Sequence, residues 1–140
     1  MPIRPHLKYL YPIDWPQLSA LIRFERAKGR CESCGRPHGL KVRHLGDGRW
    51  YDEERAHWRC GKGRVLPRLT FDPGQAATTT VYLATAHLDH DPGNSSPRNL
   101  KALCQRCHML HDREEHHRQR GLTLRMRKAL GDLFSGPDRF

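Results

Sequence analysis

The chain contains no run of roughly 18 or more consecutive apolar residues, which excludes a hydrophobic membrane-spanning helix. Its opening, MPIRPHLKYLYPIDWP, also lacks the apolar run of a secretory signal. The expectation is a soluble, cytoplasmic protein with no membrane partner. No internal repeat or low-complexity tract is present. Apolar residues make up only 36% of the chain and aromatic residues 8%. With a mean hydropathy of -0.82, burial alone gives a thin core, so a structural metal is expected to supply part of the stability. At 140 residues there is room for one domain and not for two ordinary ones.

Charge is abundant. Lys and Arg number 25 against 15 Asp and Glu, a net charge of +10 spread along the chain. Such a surface attracts polyanions, nucleic acid first, although charge alone does not establish binding.

Residues 1–14, with Pro2, Pro5 and Pro12, read as an extended arm. Asp14 as a cap, Pro16 in the first turn and apolar Leu18, Leu21, Ile22 and Ala27 predict a helix over 15–30, stopped around Gly29. Residues 40–77 read as a β-rich insertion whose best strands are Arg49 to Tyr51 and His57 to Cys60, with turns at Gly46-Asp47-Gly48 and Gly61-Lys62-Gly63. FDPGQAA reads as a loop. TTTVYLATAHL is the strongest strand signal, because β-branched and aromatic residues dominate it. After Cys104 a polar helix is expected to end at Gly121. A helical extension over 121–140 would offer Leu124, Ala129, Leu130 and Phe134 for packing.

Four of the five cysteines form two Cys-x-x-Cys pairs, Cys31 with Cys34 and Cys104 with Cys107. This spacing suits a tetrahedral Zn2+ with four thiolate ligands, tying an N-terminal turn to the start of the last helix. A redox dithiol is the alternative, and the strand-to-helix context that it needs is missing from both pairs. Cys60 reads as a small, partly buried apolar residue of the insertion.

VYLATAHLDHDPGNSSPRNLKALCQRCHMLHD, residues 81–112, gathers His87, Asp89, His90, Asn99, His108 and His111 around the second cysteine pair. The order His87, Asn99, then Cys104-x-x-Cys107-His108, together with RCESCG upstream, resembles the HNH endonuclease family of the zinc-bearing, bacterial or phage type. It extends over about Cys31 to His111 with the insertion set aside. The resemblance implies an α+β protein with a ββα-metal core over 78–120: a strand ending at His87, a second strand through Leu100 to Leu103, and a helix from about Gln105. The local signal differs, since Ser96 followed by Pro97 reads as a helix start. The family pattern is preferred because the knuckle needs a turn at Cys104.

On this resemblance the expected activity is hydrolysis of DNA phosphodiester bonds, one strand nicked per active site. A neutral imidazole, with an ordinary pKa of about 6.5, is suited to deprotonate water. His87 takes that role, and Asn99 is expected to orient its ring. His108 supplies a ligand to a catalytic Mg2+ or similar divalent ion, which stabilises the leaving oxygen. Many family members carry Asp or His before the catalytic histidine. This chain has Ala86, so Asp89 is expected as the second ligand. A second register makes His90 the base.

Arg98, Lys101, Arg106 and Arg113 are expected to hold phosphates, most naturally of double-stranded DNA. Cutting both strands would require a homodimer or a larger complex. Two other readings stay open: a zinc-stabilised nucleic-acid-binding module with a degenerate nuclease site, and a zinc interaction domain. His6, His38, His44, His57, His116 and His117 have no place in the pattern, and His111 is intermediate.

Overall fold

A computed structural model describes residues 3–67 and 72–135, with side chains to residue 131. Leu69 and Phe71 of the expected insertion, and the Phe134 side chain, lie outside the described residues. The architecture is α+β, with two antiparallel sheets and a long C-terminal helix.

The expected extended arm is partly helical. Pro5–Leu10 form a 3-10 helix, which Pro5 favours by its fixed φ; flanking it, Leu7 N–H donates to Arg4 O (2.9 Å) and Tyr11 N–H to Lys8 O (3.2 Å). The helix expected over 15–30 is regular only in α1 (Trp15–Ala20) and continues as π-helical turns over Leu21–Arg26. Left-handed Lys28 (φ 55°) and Gly29 (φ 71°) then end it. The wider turns bring the Arg26 guanidinium onto Pro97 O (2.7 Å), Leu100 O and the Glu32 carboxylate (3.0 Å).

The insertion expected over 40–77 joins residues just past it in a four-stranded sheet, order β3-β2-β1-β4, formed by β1 (Lys41–His44), β2 (Trp50–Asp52), β3 (His57–Arg59) and β4 (Ala77–Thr80). The two strands predicted there exist: β2 is shifted one residue along from Arg49 to Tyr51, and β3 ends one residue before Cys60. The single strand predicted from TTTVYLATAHL is two. β4 pairs with β1, whereas β5 (Leu83–His87) pairs with β6 (Leu100–Cys104), from Leu83 opposite Cys104 to His87 opposite Leu100. The switch falls at Val81, whose N–H donates to Leu40 O (3.0 Å) and whose carbonyl accepts from Gly39 N–H (2.7 Å).

Between β5 and β6 lies a loop closed by one 3-10 turn at Pro97–Asn99. The Ser96-Pro97 signal is therefore real but lasts a single turn. Helix α2 runs over Gln105–Ser135, starting as expected. It passes straight through Gly121, a correction to the stop predicted there. That glycine is half-buried with open space about its Cα, so it weakens the helix by about 1 kcal/mol relative to alanine without breaking it.

Two buried clusters hold these parts. One gathers the four paired cysteines with Val42, Trp50, Val81, Leu83, Ala86 and Leu103. The other packs Ile22, Leu100 and Ala102 under Trp15, Leu18 and Ala27. Trp50 is fully buried, and its indole N–H donates to Cys34 O at 3.2 Å, fastening the insertion to the cysteine turn.

Candidate metal centre and histidine cleft

Cys31 and Cys34 sit on the turn after the N-terminal helix; Cys104 ends β6 and Cys107 lies in the first turn of α2. Glu32 clamps that turn to β6, its N–H donating to Ala102 O (2.9 Å) and its carboxylate accepting from Ala102 N–H (2.8 Å). All four sulfurs are buried and lie within 4.8 Å of one another. The Cys34–Cys104 separation is 3.6 Å. That is far beyond a disulfide, and close to the roughly 3.8 Å edge of a tetrahedron with Zn–S bonds of about 2.3 Å.

Without a cation, the clustered thiols compete for charge. Hydrogen bonds from Cys104, Cys107 and Cys34 hold the Cys31 thiol far below its ordinary pKa. Its neighbours Cys104, Cys107 and Cys31 push Cys34 up. Four buried thiolates cannot coexist without a cation, so the donor set fits a metal ion such as zinc. Cys60 lies outside this group, half-buried, its sulfur accepting from Lys62 N–H at 3.4 Å.

At the end of the β5–β6 hairpin, His87 is 9% exposed. Its ring stacks on Trp15 (centroids 5.0 Å apart, 18° between planes) and meets Tyr11 edge-on at 5.5 Å. Burial pushes its pKa below the ordinary 6.5, against the opposing pull of Asp89 and Asp91. The ring is therefore neutral near neutrality, as a base must be.

The expected contact between Asn99 and the His87 ring is absent. The Asn99 amide nitrogen donates to Asp89 Oδ1 (2.8 Å) and Asn94 O (2.8 Å), and its oxygen accepts from Asp89 N–H (3.1 Å). It sets the loop and leaves the ring alone. The nearest side-chain partner of His87 is Ser95 Oγ, 3.4 Å from Nε2.

Asp89, expected as a ligand, is engaged by its own loop. Its two oxygens accept from Asn94, Asp91 N–H and Asn99, which hold the carboxyl down to about 2. It belongs to the loop framework. Ala86, at the position before His87, is 3% exposed and packs into the cysteine cluster.

The ligand-like group lies on the facing helix. Asp112, 8% exposed, accepts from His90 Nε2 at one oxygen (3.1 Å) and lies 3.2 Å from His108 Nε2 at the other. His90, held in the left-handed region (φ 59°), stacks on His111 at 4.7 Å. His90, His111 and Asp112 bring their ligand atoms within 4.8 Å of one another. Burial pushes the His108 pKa down, with Asp112 opposing.

His87, His90, His108 and Asp112 together line a cleft of about 250 Å³ with Arg4 on its wall. Asp112 was missed in the sequence, although it stands four residues after His108 on a helix and i,i+4 residues share a face.

The four basic residues expected to hold phosphates are divided. Arg106 and Arg113 share a cavity against the insertion. Arg98 is exposed on the turn before β6, and Lys101 is half-buried on β6. No family model, curated protein or solved structure matches the chain.

Proposed function

We propose that β5, β6 and α2 form a ββα-metal core and that the protein is a metal-dependent DNA endonuclease of the HNH kind. The observation that carries this reading is the convergence of His87, His90, His108 and Asp112 on one cleft, with Arg4 beside them. The thiolates would hold a structural Zn2+, which fixes β6 and the start of α2 and so the positions of these side chains. His90, His111 and Asp112 would hold a divalent ion, and two imidazoles with one carboxylate suit Ni2+ or another transition ion better than Mg2+, with His108 braced by the same carboxylate. Such an ion supplies Lewis-acid stabilisation of the charge that develops on the phosphate and the leaving oxygen.

The protein's own groups do the rest. His87, kept neutral by burial, accepts the proton of the attacking water, and the polar loop tied by Asn99 keeps the hairpin end rigid. Arg4 meets a phosphate by charge-assisted hydrogen bonds. The net charge of +10 favours a nucleic-acid backbone as the substrate. One such cleft per chain nicks one strand.

A second assignment has an observation of its own. His90 Nε2 lies 3.1 Å from Asp112, the contact by which a carboxylate orients a general base. Relaxation of supercoiled plasmid by zinc-loaded protein, with Mg2+, Mn2+ or Ni2+ added and an EDTA control, tests both. Open circles from wild type and from neither Asp112→Ala nor His87→Ala support the main reading. Retained nicking by His87→Ala with loss in His90→Ala transfers the base to His90. A protein that shifts DNA and never nicks it would be a binding module, and the enzymatic proposal would fall.

A further inference from the structure

A second cavity, of about 560 Å³, lies on the other side of the first turns of α2, between that helix and the insertion sheet. Its size is within the range of sites that enclose small organic ligands. Three arginines line it, Arg36, Arg106 and Arg113, and no acidic residue does.

Arg36 is 7% exposed; it donates to Gly48 O at a long 3.4 Å, and its Nε–H has no acceptor among the described residues. A buried, unpaired guanidinium donor is destabilising until an anion or water meets it. Arg106 is held by shape. A Cβ at Gly48 would come within 2.5 Å of its guanidinium and one at Gly61 within 3.1 Å, so two glycines make the slot in which it lies. Neither Arg106 nor Arg113 has a carboxylate partner among the described residues.

The remaining wall is apolar. Val81 is buried there, while Met109 and Leu110 are left 63% and 49% exposed on the helix. Charge of one sign beside an apolar wall suits an anionic group, such as a phosphoryl group, joined to a weakly polar body.

We infer that this cavity is a nucleotide site, taking the phosphate of a nucleoside monophosphate on Arg36, Arg106 and Arg113 and its base against Met109 and Leu110. The same chemistry is offered by a free nucleotide and by the phosphorylated 5′ end of a DNA strand. Planar guanidiniums recognise phosphate through paired N–H donors, and thioether and aliphatic side chains pack against a base. The inference is independent of the hydrolytic chemistry proposed for the histidine cleft.

The test is titration of the full, zinc-loaded chain without added divalent ion, so that binding is read apart from cleavage. The probes are 5′-dAMP, deoxyadenosine, inorganic phosphate, and a single-stranded hexanucleotide with and without a 5′ phosphate. Calorimetry gives affinity, and the arginine Nε–H resonances report the site. Expected is binding of dAMP at least about tenfold tighter than of deoxyadenosine or phosphate, with loss of about fivefold or more in Arg106→Gln and in Arg113→Gln. The exposed Arg113 keeps the second variant free of folding effects. A phosphorylated hexanucleotide that outcompetes dAMP names the strand end as the source, and the reverse names the free nucleotide. Equal binding of dAMP and deoxyadenosine, or affinity unchanged in both variants, overturns the inference. Equal binding of dAMP and inorganic phosphate overturns its nucleoside part.

Discussion

Stripping metal from the four-thiolate centre, by a strong chelator or through Cys34→Ser, is expected to unfold most of the protein. Cys34 and Cys104 are 70 residues apart in sequence. Closing a loop of that length removes denatured-chain entropy equivalent to about 4 kcal/mol at 25 °C. The bonds to zinc add to this, for a total on the order of 10 kcal/mol in small zinc modules. Domains of this size are stable by only about 5–15 kcal/mol in all. The cysteines also make up four of the ten residues in the larger buried cluster, so the core loses its centre with the metal. Thermal melts followed by circular dichroism, with released zinc measured by a chromophoric chelator, give the readout. The loop term alone corresponds to a Tm lower by roughly 10 °C or more. A stripped protein that melts cooperatively within a few degrees of the loaded one would refute the structural role of the centre.

Further outcomes follow from other contacts. Trp15→Ala uncovers His87, so its NMR titration midpoint should rise toward 6.5; an unchanged midpoint would show that the indole is not what desolvates the ring. With the folded-state value below the unfolded one, stability is expected to fall as pH drops through 6.5 and to level off below the folded value, and the variant should flatten that slope. Gly48→Ala places a Cβ at a φ of 106° and against Arg106, and should lower the urea-unfolding free energy by about 1–3 kcal/mol; an unshifted midpoint would deny the close approach. Asn99→Ala removes the amide contacts to Asp89 and Asn94, and should speed hydrogen exchange at the Asp89 amide while the zinc content stays the same. Protection equal to wild type would mean that Asn94 and Asp91 suffice to hold the loop.

Much of the four-cysteine cluster was legible because cysteine spacing is a local property: each Cys-x-x-Cys turn brings two sulfurs together. The start of α2 and the β5–β6 pairing were anticipated on the same stretch. The partner switch at Val81 was not, since the alternation of buried Val81, exposed Tyr82 and buried Leu83 runs unbroken through it. Only the backbone bonds to Gly39 and Leu40 reveal that the strand changes sheets. Gly121 misled in the other direction, because a single glycine weakens a helix without ending it when good helix formers surround it. In the cleft, Asp89 bonds within its own loop and Asp112 faces the histidines. Sequence neighbourhood favoured Asp89, whereas helical periodicity carried Asp112 to His108 and the fold carried it to His90.

The thiolate centre also has a kinetic consequence. Cys31, Cys34, Cys104 and Cys107 are 1–7% exposed and roofed by Trp50, Val42 and Leu103. Ligand exchange at a metal held there requires an incoming donor to reach it, and the side chains packed over the cysteines must part to admit one. Release is then timed by the opening of the fold, so residence time and unfolding lifetime should share one temperature dependence, steep and set by tens of kcal/mol of activation enthalpy.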